Sequence, residues 1–192
     1  MDELTAASGA VAVLAIVGGY LGVRSANRNA LKIAREERSS RREDEANALI
    51  RATYARSLAA LNLLAVASME YFVPKSRMLS VDIPNKELKE EYESALAKCS
   101  AAEVSAHNVG AEIDLIAPPE ICRLEAEAHG TATTCEPGTQ DKFLLARERL
   151  RIAMRHNLQG LEIPDQDELS QLAISEINTK ALLDSREHIL GR

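Results

Sequence analysis

The chain has 192 residues, a formal charge of −6, 27% charged residues and only 3% aromatics, with no tryptophan. Its length allows one domain of ordinary size beyond a membrane anchor. Its Ala/Leu/Glu/Arg-rich composition suits close-packed helices and disfavours a sandwich or barrel. Its acidity makes it a poor non-specific partner for nucleic acid, and none is expected.

The first element is Leu4 to Val23, LTAASGAVAVLAIVGGYLGV, which carries no charge. As a helix it reaches roughly 30 Å, the thickness of a hydrocarbon core, and it reads as a single transmembrane span. The leader is acidic and the apolar run exceeds the length of a signal-peptide core, so an uncleaved span is expected. All 23 lysines and arginines follow Val23, while Asp2 and Glu3 precede it, so the rest of the chain has four acids in excess. Basic flanks stay in the cytoplasm. The expected location is therefore the cell membrane, single-pass, with the N-terminus outside and the C-terminal domain cytoplasmic. Cys99, Cys122 and Cys135 fit that compartment as free thiols, because three irregularly spaced cysteines make no disulfide framework.

Within the span, Gly18 and Gly22 form a GxxxG, and Ala15 and Gly19 extend the same small face. Such faces let two membrane helices pack closely, so homo-oligomerisation through this face is a candidate property. Residues 24–47 continue as a charged juxtamembrane stalk. Arg24, Arg28, Lys32, Arg35, Arg38 and Arg42 recur at spacings of four and three. Arg24, Arg28, Lys32 and Arg35 are the expected contacts with anionic lipid, worth about 1 kcal/mol each near the surface. Beyond them an exposed stalk is expected, with Glu37–Arg41 and Arg41–Glu45 as supporting pairs.

From Ala48 onward a cytosolic helical bundle is predicted over residues 48–192. Its first helix shows one seam at Tyr54, Leu58, Leu61, Ala65, Ser68 and Phe72, and a second at Ala55, Ala59, Val66 and Met69. No proline or glycine interrupts residues 24–73, so span, stalk and first bundle helix read as one helix of about 100 Å ending at Pro74. After a connection, Asn85 or Asp82 caps a second helix. There Leu88, Tyr92, Ala95, Cys99, Ala102, Ala106, Val109, Ile113 and Ile116 alternate strictly at four and three, a coiled-coil-like seam. Its small middle asks for a close antiparallel partner, and the helix before Pro74 is the obvious one. Pro118 and Pro119 break it and start a third helix with Ile121, Leu124, Ala128 and Ala132 inward. A fourth begins at Thr139 or Asp141, with Phe143, Ala146, Leu150, Ala153 and Asn157 on one face and Gly160 as its C-cap. Arg147, Glu148, Arg149, Arg151 and Arg155 read as a solvated face. A last helix opens at Pro164-Asp165, with Leu169, Leu172, Ala173, Ile177, Ala181 and Leu182 inward. The fold class is all-α: an N-terminal transmembrane helix, a charged helical stalk and an antiparallel hairpin or bundle.

The tract SANRNALKIAREERSSRRED after the span, then YARSLAAL, LIAPPEI and KFLLARERLR, resembles small actinobacterial single-span membrane proteins of unknown function. The likeness covers most of residues 1–160. It implies a membrane helix carrying a cytosolic helical hairpin or bundle, and it implies no activity and no site residues.

Reaction chemistry has little to rest on. There is no CxxC, HExxH or Glu-x-x-His, and the pairs Glu103/His107 and Glu125/His129 are ordinary i,i+4 neighbours. There is also no G-x-S-x-G, GxGxxG or P-loop. No catalytic residue, metal or cofactor is expected. The leading expectation is a membrane-anchored interaction or scaffold protein with lipid and an unidentified protein as partners. A phage or prophage membrane effector, holin-like or of the exclusion type, is the alternative.

Overall fold

The computed structural model describes the backbone of residues 2–190 and the side chains of residues 32–184. It is all-α, with five helices and no strand among the described residues: α1 Asp2–Leu79, α2 Lys86–Ile116, α3 Pro119–Thr133, α4 Gln140–Leu158 and α5 Gln166–Leu190. The chain divides into two compact units, Met1–Ala48 and Leu49–Arg192.

In the first unit the described side chains, from Lys32 on, stand in solvent along α1, with Ala34 alone half-buried. The i,i+4 ion pair formed is Lys32–Glu36 at 3.8 Å, in place of the expected Glu37–Arg41 and Arg41–Glu45 pairs. Both partners are exposed, so this pair contributes little to stability.

The second unit is a helical bundle built on an antiparallel hairpin. Residues 49–79 of α1 run against α2, as four cross-links show: Arg56 to Glu112 (2.5 Å), Ser68 to Cys99 (3.8 Å), the Tyr71 and Tyr92 hydroxyls (3.0 Å), and Arg77 to Glu91 (3.3 Å). The Asn85 side chain caps α2 by accepting from the Leu88 amide at 2.8 Å. Every member of the Leu88-to-Ile116 seam is buried or half-buried. Its members from Leu88 to Ala102 are half-buried, and full burial comes only at Ala106 and Ile113, in the half of α2 where α3 joins the packing, with Val109 and Ile116 half-buried beside them.

Two expectations about α1 are corrected. Pro74 does not end the helix, which continues to Leu79 with the proline buried inside it. Pro74 removes one backbone donor, and the helix carries on through it beside the contact between the Tyr71 and Tyr92 rings. The first seam is buried or half-buried as expected, but of the second only Met69 is covered, while Ala55, Ala59 and Val66 are exposed. The other flank is buried instead, through Thr53, Ser57, Ala60, Leu64 and Ala67. This helix is apolar nearly all round, so the position of its partners, not its hydropathy, selects the flank.

Helix α4 is the centre of the bundle. It runs antiparallel to α1, with Asn157 donating to the Tyr54 hydroxyl (2.8 Å), Arg147 to Asn62 (2.9 Å) and Gln140 to the Met69 sulfur (3.4 Å). Phe143, Ala146, Leu150, Ile152, Ala153 and Met154 are all buried, with the α3 residues Ile121, Leu124, Ala128 and Ala132 also in the core. The charged face expected to be solvated is corrected in part: Glu148 and Arg149 are buried. Gly160, at φ +66°, closes α4 as predicted, with Leu161 N bonding His156 O (3.0 Å) and Gly160 N bonding Asn157 O (3.1 Å). Asp165 then caps α5, accepting from the amides of Asp167 (3.0 Å) and Glu168 (2.9 Å). Of the α5 face expected inward, Leu169 and Ala173 are buried and Ile177 half-buried, whereas Leu172, Ala181 and Leu182 are exposed.

Leu150, fully buried at the centre of α4, is the sensitive position. Leu150→Ala should cost about 2–5 kcal/mol, and Gly160→Ala about 1–2 kcal/mol for forcing a side chain into the left-handed region. Thermal unfolding followed by circular dichroism, on otherwise identical chains, checks both values.

Candidate functional site

Of the residues singled out from the sequence, Ala15, Gly18, Gly19, Gly22, Arg24 and Arg28 lie outside the residues whose side chains are described. Lys32 and Arg35 are exposed, and Lys32 is paired with Glu36. Among the described residues, one helical stretch near the N-terminus, Lys32–Leu79, is long and apolar enough to cross a membrane. Its apolar window is 44% buried inside the fold, as befits the core helix of the bundle. The run at 4–23 lies outside the residues tested.

The three cysteines are free: Cys135 is buried, and Cys99 and Cys122 are half-buried. Burial pushes the Cys135 thiol up, and burial followed by Asp114 does the same to Cys122. Neither is an activated thiolate, since activation requires a depressed value. Among the described residues no group of three or more His, Cys, Asp or Glu side chains could hold a metal ion.

Two grooves stand out on the bundle. The larger, about 680 Å³, lies between α4 and α5. Leu144, Ile177 and Leu183 give it an apolar lining, and the Arg147, Arg151, Glu148 and Glu176 side chains also line it. Glu176 accepts from Arg151 and from Arg155 (2.7 Å), and Glu148 accepts from Arg151 Nε (2.8 Å). These charges are therefore mutually satisfied and hold α5 to α4. On the opposite flank of α4, Arg149 reaches Glu127 of α3 at 2.6 Å, leaving its Nε and Nη2 without a partner. The charge pattern of α4 thus ties it to three neighbouring helices, which the sequence reading missed. The signal was present in Arg149, which lies on the opposite side of the helix from the Arg147, Arg151 and Arg155 stripe.

The second groove, about 360 Å³, lies between α2 and α3 and is lined by His107, Gly110, Asp114, Cys122, Glu125 and His129. The spacings explain the arrangement. His107, Gly110 and Asp114 share one face of α2, and Cys122, Glu125 and His129 share one face of α3, each set at steps of three and four. Glu125 is buried to 8% exposure. Its carboxylate lies against Gly110, where an added Cβ would stand 3.1 Å from Oε1 and 3.2 Å from Oε2. Desolvation raises the Glu125 pKa, the Asp114 charge raises it further, and His107 opposes both. The i,i+4 reading of Glu125 and His129 missed this environment. The glycine directly opposite, in the next helix, was its only trace.

Compared with protein-family models, curated proteins and solved structures, the chain finds no match.

The raised Glu125 pKa has a definite sign. The folded state holds the proton more tightly than the unfolded state, so stability falls as pH rises from the ordinary glutamate value near 4.5 through the higher folded value. Glu125→Gln should therefore gain in melting temperature over wild type at about pH 8 relative to its difference at about pH 4. A pH-independent difference would show that ionisation at this position carries no cost. A second expectation concerns Gly110→Ala. Alanine favours a helix interior by about 1 kcal/mol, but here its Cβ crowds the carboxylate. The substitution should stabilise a Glu125→Ala background more than wild type, and a double-mutant cycle measures that coupling.

Proposed function

We propose that this chain is a membrane-anchored helical interaction or scaffold protein that acts by presentation, not by catalysis. The carrying observation is the groove between α4 and α5. It has an apolar lining from Leu144, Ile177 and Leu183, and Leu172, Ile174 and Leu182 are exposed on the same α5 helix. A groove with an apolar lining and charged residues at its edge is the kind of surface that meets another protein. The ion pairs of Glu176 with Arg151 and Arg155 hold the two groove walls together. A partner helix would then bury apolar area without first ordering the groove, which lowers the cost of binding.

Anchoring rests on the uncharged run from Leu4 to Val23 and the basic residues that follow it. They support a single span with the bundle on the cytoplasmic side. Pairing through Gly18 and Gly22 and lipid contact by Arg24, Arg28, Lys32 and Arg35 belong to the same reading.

Two measurements test it. The full-length chain should stay in membranes through an alkaline carbonate wash, with a tag at Arg192 protected from protease outside intact cells. Extraction, or cleavage of the tag, would remove the anchor or reverse the orientation. A photo-crosslinking residue at Leu183, in the groove, should give a discrete adduct in cells, whereas one at the exposed Lys89 should not. Leu144→Glu should abolish that adduct while leaving the melting temperature nearly unchanged, because Leu144 is already partly exposed.

A further inference from the structure

The α2–α3 groove contains a carboxylate without a counter-ion. Glu125 is more than nine-tenths buried as a residue and lines the groove; among the described residues no hydrogen bond or ion pair reaches its carboxylate, which keeps some contact with solvent in the groove. In the same groove the His129 Nε2 atom is enclosed and has no hydrogen-bond partner among the described residues. Buried ionisable groups are normally paired, because their desolvation is otherwise uncompensated. Gly110 gives the carboxylate room beside α2: a Cβ there would stand 3.1 Å from Oε1, and the carboxylate would have to give way by a few tenths of an ångström.

The chain does not supply the missing charge locally. No lysine or arginine lies between Lys98 and Arg123, whereas Glu103, Glu112, Asp114 and Glu120 do. Arg123 pairs with Glu127 at 3.9 Å. The ionisable groups facing Glu125 are Asp114 and His107, both exposed on α2 at the groove rim. The groove is therefore acidic at its floor through Glu125 and at its rim through Asp114, with imidazoles from both helices beside them.

We propose that this groove is a receptor for a guanidinium or ammonium group, carried by an arginine or lysine side chain of a partner polypeptide. The proposal rests on the interaction reading above and names the chemistry of one contact. Glu125 accepts the charged hydrogen bonds at the buried end, and Asp114 attracts the cation at the rim. The His129 Nε2 atom adds a further acceptor in the tautomer that carries the ring proton on Nδ1. A metal ion is the less favoured occupant, because no three donors among the described residues converge as metal ligands do.

The test uses the isotope-labelled full-length chain in lipid nanodiscs at neutral pH, titrated separately with ethylguanidinium, neutral ethylurea and zinc. Ethylguanidinium should shift the Gly110 amide and the His129 imidazole saturably, and ethylurea should not. Glu125→Gln should weaken that binding about tenfold or more, the usual scale for losing a charge-assisted hydrogen bond. Asp114→Asn, at an exposed position, should weaken it less and keeps the test alive if the first variant misfolds. Saturation by zinc with no response to ethylguanidinium would overturn the proposal in favour of a metal site. No response to either, or full binding retained in both variants, would reduce Glu125 to a structural residue. Neither result would alter a Leu183 adduct, so failure here is distinguishable from failure of the interaction reading.

Discussion

The bundle depends on burying α4 on several sides at once. Leu150, Ile152 and Ala153 are fully enclosed, and Phe143, Ala146 and Met154 nearly so. Those positions do not fit one stripe, so α4 needs helices around it. Residues 49–79 of α1, together with α3 and α5, supply them. The cost is that some charged side chains on α4, Glu148 and Arg149 above all, are buried between helices, while Arg147 and Arg151 are half-buried and Arg155 stays exposed. Each arginine is handled by a partner across the gap: Arg147 by Asn62, Arg149 by Glu127, Arg151 and Arg155 by Glu176. Such pairs add little net stability on their own, but removing one partner of a buried pair is expensive. They act chiefly as register pins for helices whose apolar faces are rich in interchangeable alanines.

How much of this was legible in the sequence follows from how strictly each pattern excluded alternatives. The α2 seam was readable in full because its 4,3 alternation is uninterrupted and the positions between its members are mostly polar or small and exposed. The cap at Gly160, and Asn85 as one of two candidates, were readable because each rests on local chemistry, complete within a few residues. The flank of α1 was not, since Ala55, Ala59 and Val66 look as buriable as Ala60, Leu64 and Ala67. Thr53 and Ser57, which are buried, look less so. Pro74 misled for a related reason: its local cost was visible, while the packing that offsets it was not. The charges on α4 were visible but their partners, on other helices, were not.

The candidate grooves were less legible than the fold. Neither is formed by a motif, and each needs two helices brought side by side. The α4–α5 groove exists because α5 carries its inward face only as far as Ile177, after which every described residue to Asp184 is exposed. In sequence the inward face of that helix read as running on to Leu182. The α2–α3 groove exists because Gly110 and Glu125 meet, residues on different helices either side of a double-proline turn. A glycine inside a helix normally lowers its stability relative to alanine. At position 110 that loss is exchanged for space, and the space is occupied by a carboxylate.

That exchange bears on what kind of molecule this is. A bundle selected only for stability would place an alanine at 110 and a neutral side chain at 125, removing both the helix penalty and the desolvated charge. It would also have no reason to leave Leu172, Ile174, Leu182 and Leu183 exposed on one helix. The two departures lie on different helix pairs, and neither is repaired within the described part of the bundle. One offers an acidic group without a partner among the described residues and the other a groove with an apolar lining, the two kinds of surface that a second protein completes. The well-packed centre around α4 makes such departures tolerable: it supplies enough stability for the periphery to retain features that a monomer alone would not need.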